Sequence, residues 1–194
     1  MTSALLVAMT LTITPGMTQF INRVYDFVEL HRRAAAGIEQ PLCSDPEEVA
    51  RQADALANAI RIARPRAKEG DIFTMAASEM FRTKIAAIIR RTDFDVAAFL
   101  ARHAYEGDEM DVQVFGTLDW HTHLALTPLV RELPALPPEL EYQFVGRDLV
   151  LVDVAANMVV DVLRDALPLP ADAPTPVATS SPCSPHPELE GCWM

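Results

Sequence analysis

A chain of 194 residues that is 50% hydrophobic can bury one substantial core, so one domain with tails is expected and a disordered polypeptide is not. The formal net charge of −11 and the 7% aromatic content argue against a nucleic-acid surface, which needs clustered Lys and Arg and stacking platforms. The charge is uneven: residues 1–103 balance at +1, whereas residues 104–194 carry −12, an acidic surface whose plainer reading is that it keeps the protein soluble and whose functional reading is that it repels anionic substrates and attracts cations or basic partners.

Residues 1–14, MTSALLVAMTLTIT, are uncharged, and the first basic residue is Arg23. That length fits the apolar region of an export signal and is short for a membrane span, although a basic leading stretch and a small-x-small cleavage site before Gln19 are missing. Segment 1–17 is therefore read as signal-like. A buried N-terminal segment is the alternative, and an anchor running on into Phe20 and Val24 is a third reading.

From Thr18 to Arg33, Phe20, Val24, Phe27 and Leu30 recur at spacings of three and four, which predicts an amphipathic helix. His31, Arg32 and Arg33 in its last turn read as positive charge complementing the helix dipole. Asp45, Pro46 and Glu48 supply the cap, first-turn proline and capping-box acid of a second helix, whose stripe is Val49, Ala53, Leu56, Ile60 and Ala63. Pro65 stops it, and the basic loop with Arg64, Arg66 and Lys68 is expected to be solvated. Thr74 opens a third helix with Ala77, Phe81, Ile85 and Ile88 on one face, and Asp93 or Asp95 a shorter fourth through Val96, Phe99 and Leu100 to His103.

Residues 104–139 hold no sustained period. An acidic run of Glu106, Asp108, Glu109 and Asp111 precedes a short strand-like piece at Val112–Phe115, and Thr127-Pro128 can open a short helix that Pro134, Pro137 and Pro138 end. From Leu140 to Leu163 the strand signal is dense: Tyr142, Phe144, Val150, Val152, Val154, Val160 and Val162 at period two, interrupted at Gly146-Arg147-Asp148 and Ala155-Ala156-Asn157. This predicts a three-stranded antiparallel meander.

A three-residue second loop would put Val150, Val152, Val154, Met158, Val160 and Val162 on one apolar face. At the first turn, Gly146-Arg147 suits a two-residue type II′ turn, but patterning favours three residues, with Tyr142 and Phe144 on that same face and Glu141 and Gln143 in water. A lone three-stranded sheet is marginal, so helices should cover it. The expected fold class is α+β, about four helices packed on a C-terminal meander. The domain spans 18–167, and 168–194 forms a Pro-rich disordered tail with seven of the fifteen prolines.

Three constellations could carry chemistry. Asp119, His121 and His123 would share one face of a strand, so two imidazoles and a carboxylate could hold a divalent metal, although no HExxH or similar framework surrounds them. Asp153 and Asp161 fall on one face of the second hairpin, Asp161 opposite Leu151. They are too far apart for a shared proton and are read as marking the solvent edge, pairing with Arg147 or Arg164. Cys183 and Cys192 could close a small disulfide loop, leaving Cys43 odd, or either could pair with Cys43. A catalytic Cys43 would need an activating His, with His31 nearest in sequence. Motifs for nucleotide phosphates, α/β-hydrolase chemistry and thioredoxin-type redox work are absent from the sequence.

The segments LCSDPEEVARQADALANAIRIARPRAKEGDIFT (42–74) and LPPELEYQFVGRDLVLVDVAANMVVDVLRDALP (136–168) resemble a family of small uncharacterised bacterial proteins that often carry export signals, over about half of this chain. The resemblance implies no activity and no functional residue. The strand Tyr142-x-Phe144-Val145, its turn and Val150-Leu151-Val152-Asp153 are also similar to the closing hairpins of small periplasmic stress-related bacterial proteins.

Together these readings lean towards a non-enzymatic envelope or secreted protein that binds a partner or small ligand through the sheet region, without a stable membrane span and without nucleic acid. The alternative is a metal-binding protein or metal-assisted hydrolase using Asp119, His121 and His123, and a cytoplasmic location is the alternative to a periplasmic or secreted one.

Overall fold

The computed structural model describes residues 14–38, 45–102, 112–118 and 127–168. Three long helices, α1 (Pro15–Ala35), α2 (Pro46–Ala63) and α3 (Met75–Thr92), are followed by two short ones, α4 (Val96–Arg102) and α5 (Thr127–Val130). Strands β1 (Leu140–Val145), β2 (Asp148–Asp153) and β3 (Met158–Leu163) then form an antiparallel sheet in the order β1-β2-β3. The architecture is α+β, with the meander at its C-terminal side.

The helix starts follow local chemistry. The Asp45 side chain accepts from Glu47 N at 3.0 Å with Pro46 in the first turn, and Thr74 Oγ1 accepts from Ala77 N at 3.4 Å. Asp95 Oδ1 accepts from Ala98 N at 2.8 Å and so opens α4. Helix α1 begins a turn earlier than its apolar spacing suggests. Thr14 caps it and Pro15 occupies the first turn, so Pro15, Gly16 and Met17 are helical.

Gly16 is where α1 meets α3. A Cβ there would lie 2.3 Å from the Ala76 carbonyl oxygen, a backbone atom that cannot step aside cheaply. Replacing Gly16 with Ala should therefore destabilise the protein by roughly 1–3 kcal/mol, the usual range for overpacking. A urea midpoint unchanged by the substitution would mean that the first turn of α1 does not depend on this contact.

The core sits between the helices and one face of the sheet. Phe20 of α1, Phe73 and Phe81 form a mutually contacting trio, with ring centroids 4.8–5.6 Å apart, and Tyr142 of β1 closes the cluster. Such pairs add about 0.5–1.5 kcal/mol each beyond area burial. Phe144, Leu149, Leu151, Met158, Val160 and Leu163 continue this face.

The opposite face carries Val150, Val152, Val159 and Val162, covered by Val112 and Leu118. Residues 115–116 also pair with the outer edge of β3, through Phe115 N to Val159 O and Val159 N to Gly116 O, both 2.8 Å. Both faces of the meander are thus buried.

Two register expectations are corrected. Tyr142 lies opposite Leu151 and Val145 opposite Asp148, so the first turn has two residues, with Gly146 at φ +55° as its conformation requires. Tyr142 and Phe144 consequently face the helices with Leu149 and Leu151, and Gln143 is buried on the other face instead of standing in water.

In the second hairpin, Leu149, Val150 and Leu151 pair with Leu163, Val162 and Asp161 as anticipated. A bulge then intervenes, and Val152 pairs with Val159 and Asp153 with Met158. The extra residue, Val160, lets both Val160 and Asp161 face the helices. Val154, expected in the apolar face, is instead half-exposed in the turn.

Candidate functional site

Asp161, opposite Leu151 on the helix-facing side of the sheet, reaches the loop that enters α3. One carboxylate oxygen accepts from Gly70 N and Val162 N, both at 2.8 Å, and the other from Ile72 N at 2.6 Å and Phe73 N at 2.7 Å. Gly70 reaches this position with φ +83°, open to glycine at little steric expense. Asp161 is fully buried, and burial pushes its carboxyl above the usual carboxylate range while the four backbone donors pull it back. The donors lie just before the N-terminus of α3, where the helix dipole also favours a negative charge. The carboxylate therefore clasps the α2–α3 loop onto the sheet.

A second buried carboxylate joins the sheet to α1. His31 Nδ1 and Asp153 Oδ2 are 2.5 Å apart, and Asp153 Oδ1 accepts from Ala156 N at 2.9 Å in the β2–β3 turn. The hydrogen bond to Asp153 raises the His31 pKa above its ordinary value. Burial opposes that shift, and the charges of Asp153 and Glu139 reinforce it. Arg32, next to His31, bonds Glu139 at 2.7 Å, so the end of α1 is tied to the sheet at two points.

Sequence reasoning placed His31 in a charge cluster at the end of its helix and Asp153 and Asp161 at the solvent edge; all three are buried. The cationic partners named for the two aspartates are engaged elsewhere, Arg147 with Asp165 and Arg164 with Glu69, Asp148 and the Val112 carbonyl. A signal for His31 was available. Phe20, Val24, Phe27 and His31 are spaced four, three and four residues apart, so His31 continues the buried stripe.

In the basic loop after α2, Arg66 and Lys68 are exposed as expected, whereas Arg64 stacks over the Phe27 ring at 5.3 Å and pairs with Asp71 at 3.5 Å.

Asp119, His121, His123, Cys43, Cys183 and Cys192 lie outside the described residues. Among the described residues, no group of three or more His, Cys, Asp or Glu is placed to share a metal ion. No helix among them is long and apolar enough to cross a membrane.

An open groove of about 680 Å³ runs between the first turn of α1 and the outer face of α3. Gly16 and Met17 form one wall, and Ala76, Met80, Lys84 and Ala87 run along the other at helical spacing. Smaller cavities among the described residues measure about 390, 360 and 240 Å³. No protein-family model, curated protein or solved structure matches this chain. The reading of its function thus rests on these side chains and cavities.

Proposed function

We propose that this chain is a non-enzymatic envelope or secreted protein that binds a small ligand or partner, and that its binding surface is the groove between α1 and α3. The observation that carries the reading is the groove itself: its volume falls in the range of about 300–1,000 Å³ typical of ligand sites, and its walls are mainly apolar. The buried groups with acid–base character, His31, Asp153 and Asp161, bond to one another or to backbone N–H groups, a use that supports a structural role for them. With both sheet faces buried, the helices offer the better surface than the sheet region. The uncharged segment 1–14 supports export with Pro15, Gly16 and Met17 retained in the mature chain, since they form one wall of the groove.

Titration with the uncharged fluorescent probe N-phenyl-1-naphthylamine tests the groove. One saturable site is expected. Ala87→Trp, which places a large ring in the groove from an exposed position, should weaken it by about tenfold or more. Uptake that is absent, or indifferent to this substitution, would overturn the reading.

A further inference from the structure

Two charged side chains line the groove, Glu79 and Lys84, and Lys84 is the one that stands in the row of Ala76, Met80 and Ala87. It lies one helical turn after Met80 and just before Ala87, and it is half-buried, whereas Glu79 at the rim is exposed. Among the described residues neither a hydrogen bond nor an ion pair engages Lys84. A half-buried lysine in a mainly apolar groove, whose polar lining is otherwise Thr14, Thr83 and the exposed Glu79, gains most from an anion that brings its own apolar body.

The surroundings allow such a ligand to approach. The groove belongs to the half of the chain that balances at +1, while the acidic excess resides in residues 104–194. From Lys84 back to Ala76 the row extends for about 12 Å at the helical rise per residue, room for a medium-length alkyl chain. Met17 and Met80, unbranched and adaptable, line it from the two helices, and methionine accommodates flexible apolar ligands well.

We infer that the groove binds a single-chain carboxylic amphiphile, a free fatty acid, with its alkyl chain between α1 and α3 and its carboxylate on Lys84. This inference rests on the binding function proposed above and adds the class of ligand.

The test uses laurate and uncharged methyl laurate as competitors of the naphthylamine probe, below their aggregation concentrations, with the full chain and with Lys84→Glu and Ala87→Trp. Laurate should displace the probe at one site, Lys84→Glu should weaken laurate by about tenfold or more while leaving methyl laurate within about twofold, and Ala87→Trp should weaken both. Probe uptake that Ala87→Trp removes, without displacement by laurate, would overturn the fatty-acid assignment and leave the groove as a binding site. Equal effects of Lys84→Glu on laurate and its ester would overturn the role given to Lys84. Sedimentation in parallel covers another occupant: a dimer that Ala87→Trp dissociates, with no laurate uptake, would assign the groove to a second copy and overturn the inference.

Discussion

Replacing Asp161 with Asn should cost the fold about 2–5 kcal/mol, one of the two largest effects expected of any single substitution in the chain. Asn is nearly isosteric, so packing changes little, but it has only one oxygen. Each carboxylate oxygen of Asp161 takes two backbone donors, Gly70 with Val162 on one and Ile72 with Phe73 on the other. Whichever way the amide is turned, its NH₂ faces two N–H groups and leaves them unpaired. Each buried donor left without a partner costs about 1–3 kcal/mol, against a total stability of about 5–15 kcal/mol for a domain. Urea unfolding followed by circular dichroism measures the loss. The loop entering α3 should also exchange its amide hydrogens faster, beginning with Ile72 and Phe73. A variant within about 0.5 kcal/mol of the parent would show that the clasp contributes little.

The starts of the helices were legible in the sequence because their determinants are local: Asp45 with Pro46 and Thr74 with Ala77 act within one turn. The type and order of the strands were legible for a similar reason, since period-two patterning is a property of each strand alone. What patterning did not reveal was which face each residue takes. A single bulge residue, Val160, moves Met158 and Val159 relative to β2, and a two-residue turn at Gly146 reverses the faces expected for β1. Nor could hydropathy alone show that Asp153 and Asp161 are buried. Their partners lie 122 and 88–91 residues away, and a carboxylate that accepts several backbone donors has the same sequence signature as one in water. The groove is a further step removed, because it arises from the close approach of Gly16 to Ala76, two residues that are unremarkable until the helices are packed.

The stability of the protein should fall as the pH rises from about 6.5, and the His31–Asp153 pair should account for the decline. The hydrogen bond and charge of Asp153 raise the His31 pKa in the folded state above its unfolded value of about 6.5. The folded state therefore holds the imidazole proton more tightly. The stabilisation this provides is fully present below about 6.5 and is lost as the pH rises through the higher folded value. One proton gives a slope of at most about 1.4 kcal/mol per pH unit inside that window. A neutral His31 still donates Nδ1–H to Asp153, so the helix remains docked above the window and only the ionic part is lost. His31→Ala leaves the Asp153 carboxylate buried without its imidazole partner. It should cost about 3–5 kcal/mol at pH 6, the usual penalty for breaking a buried pair by removing one member, and less at pH 9. The measurement is the urea midpoint of parent and variant at half-unit steps from pH 5.5 to 9. A difference between them that is independent of pH would show that the pair acts as a neutral hydrogen bond throughout. One that widens towards high pH would mean that Asp153 does not raise the imidazole pKa, and the coupling between α1 and the β2–β3 turn would have to be sought in packing alone.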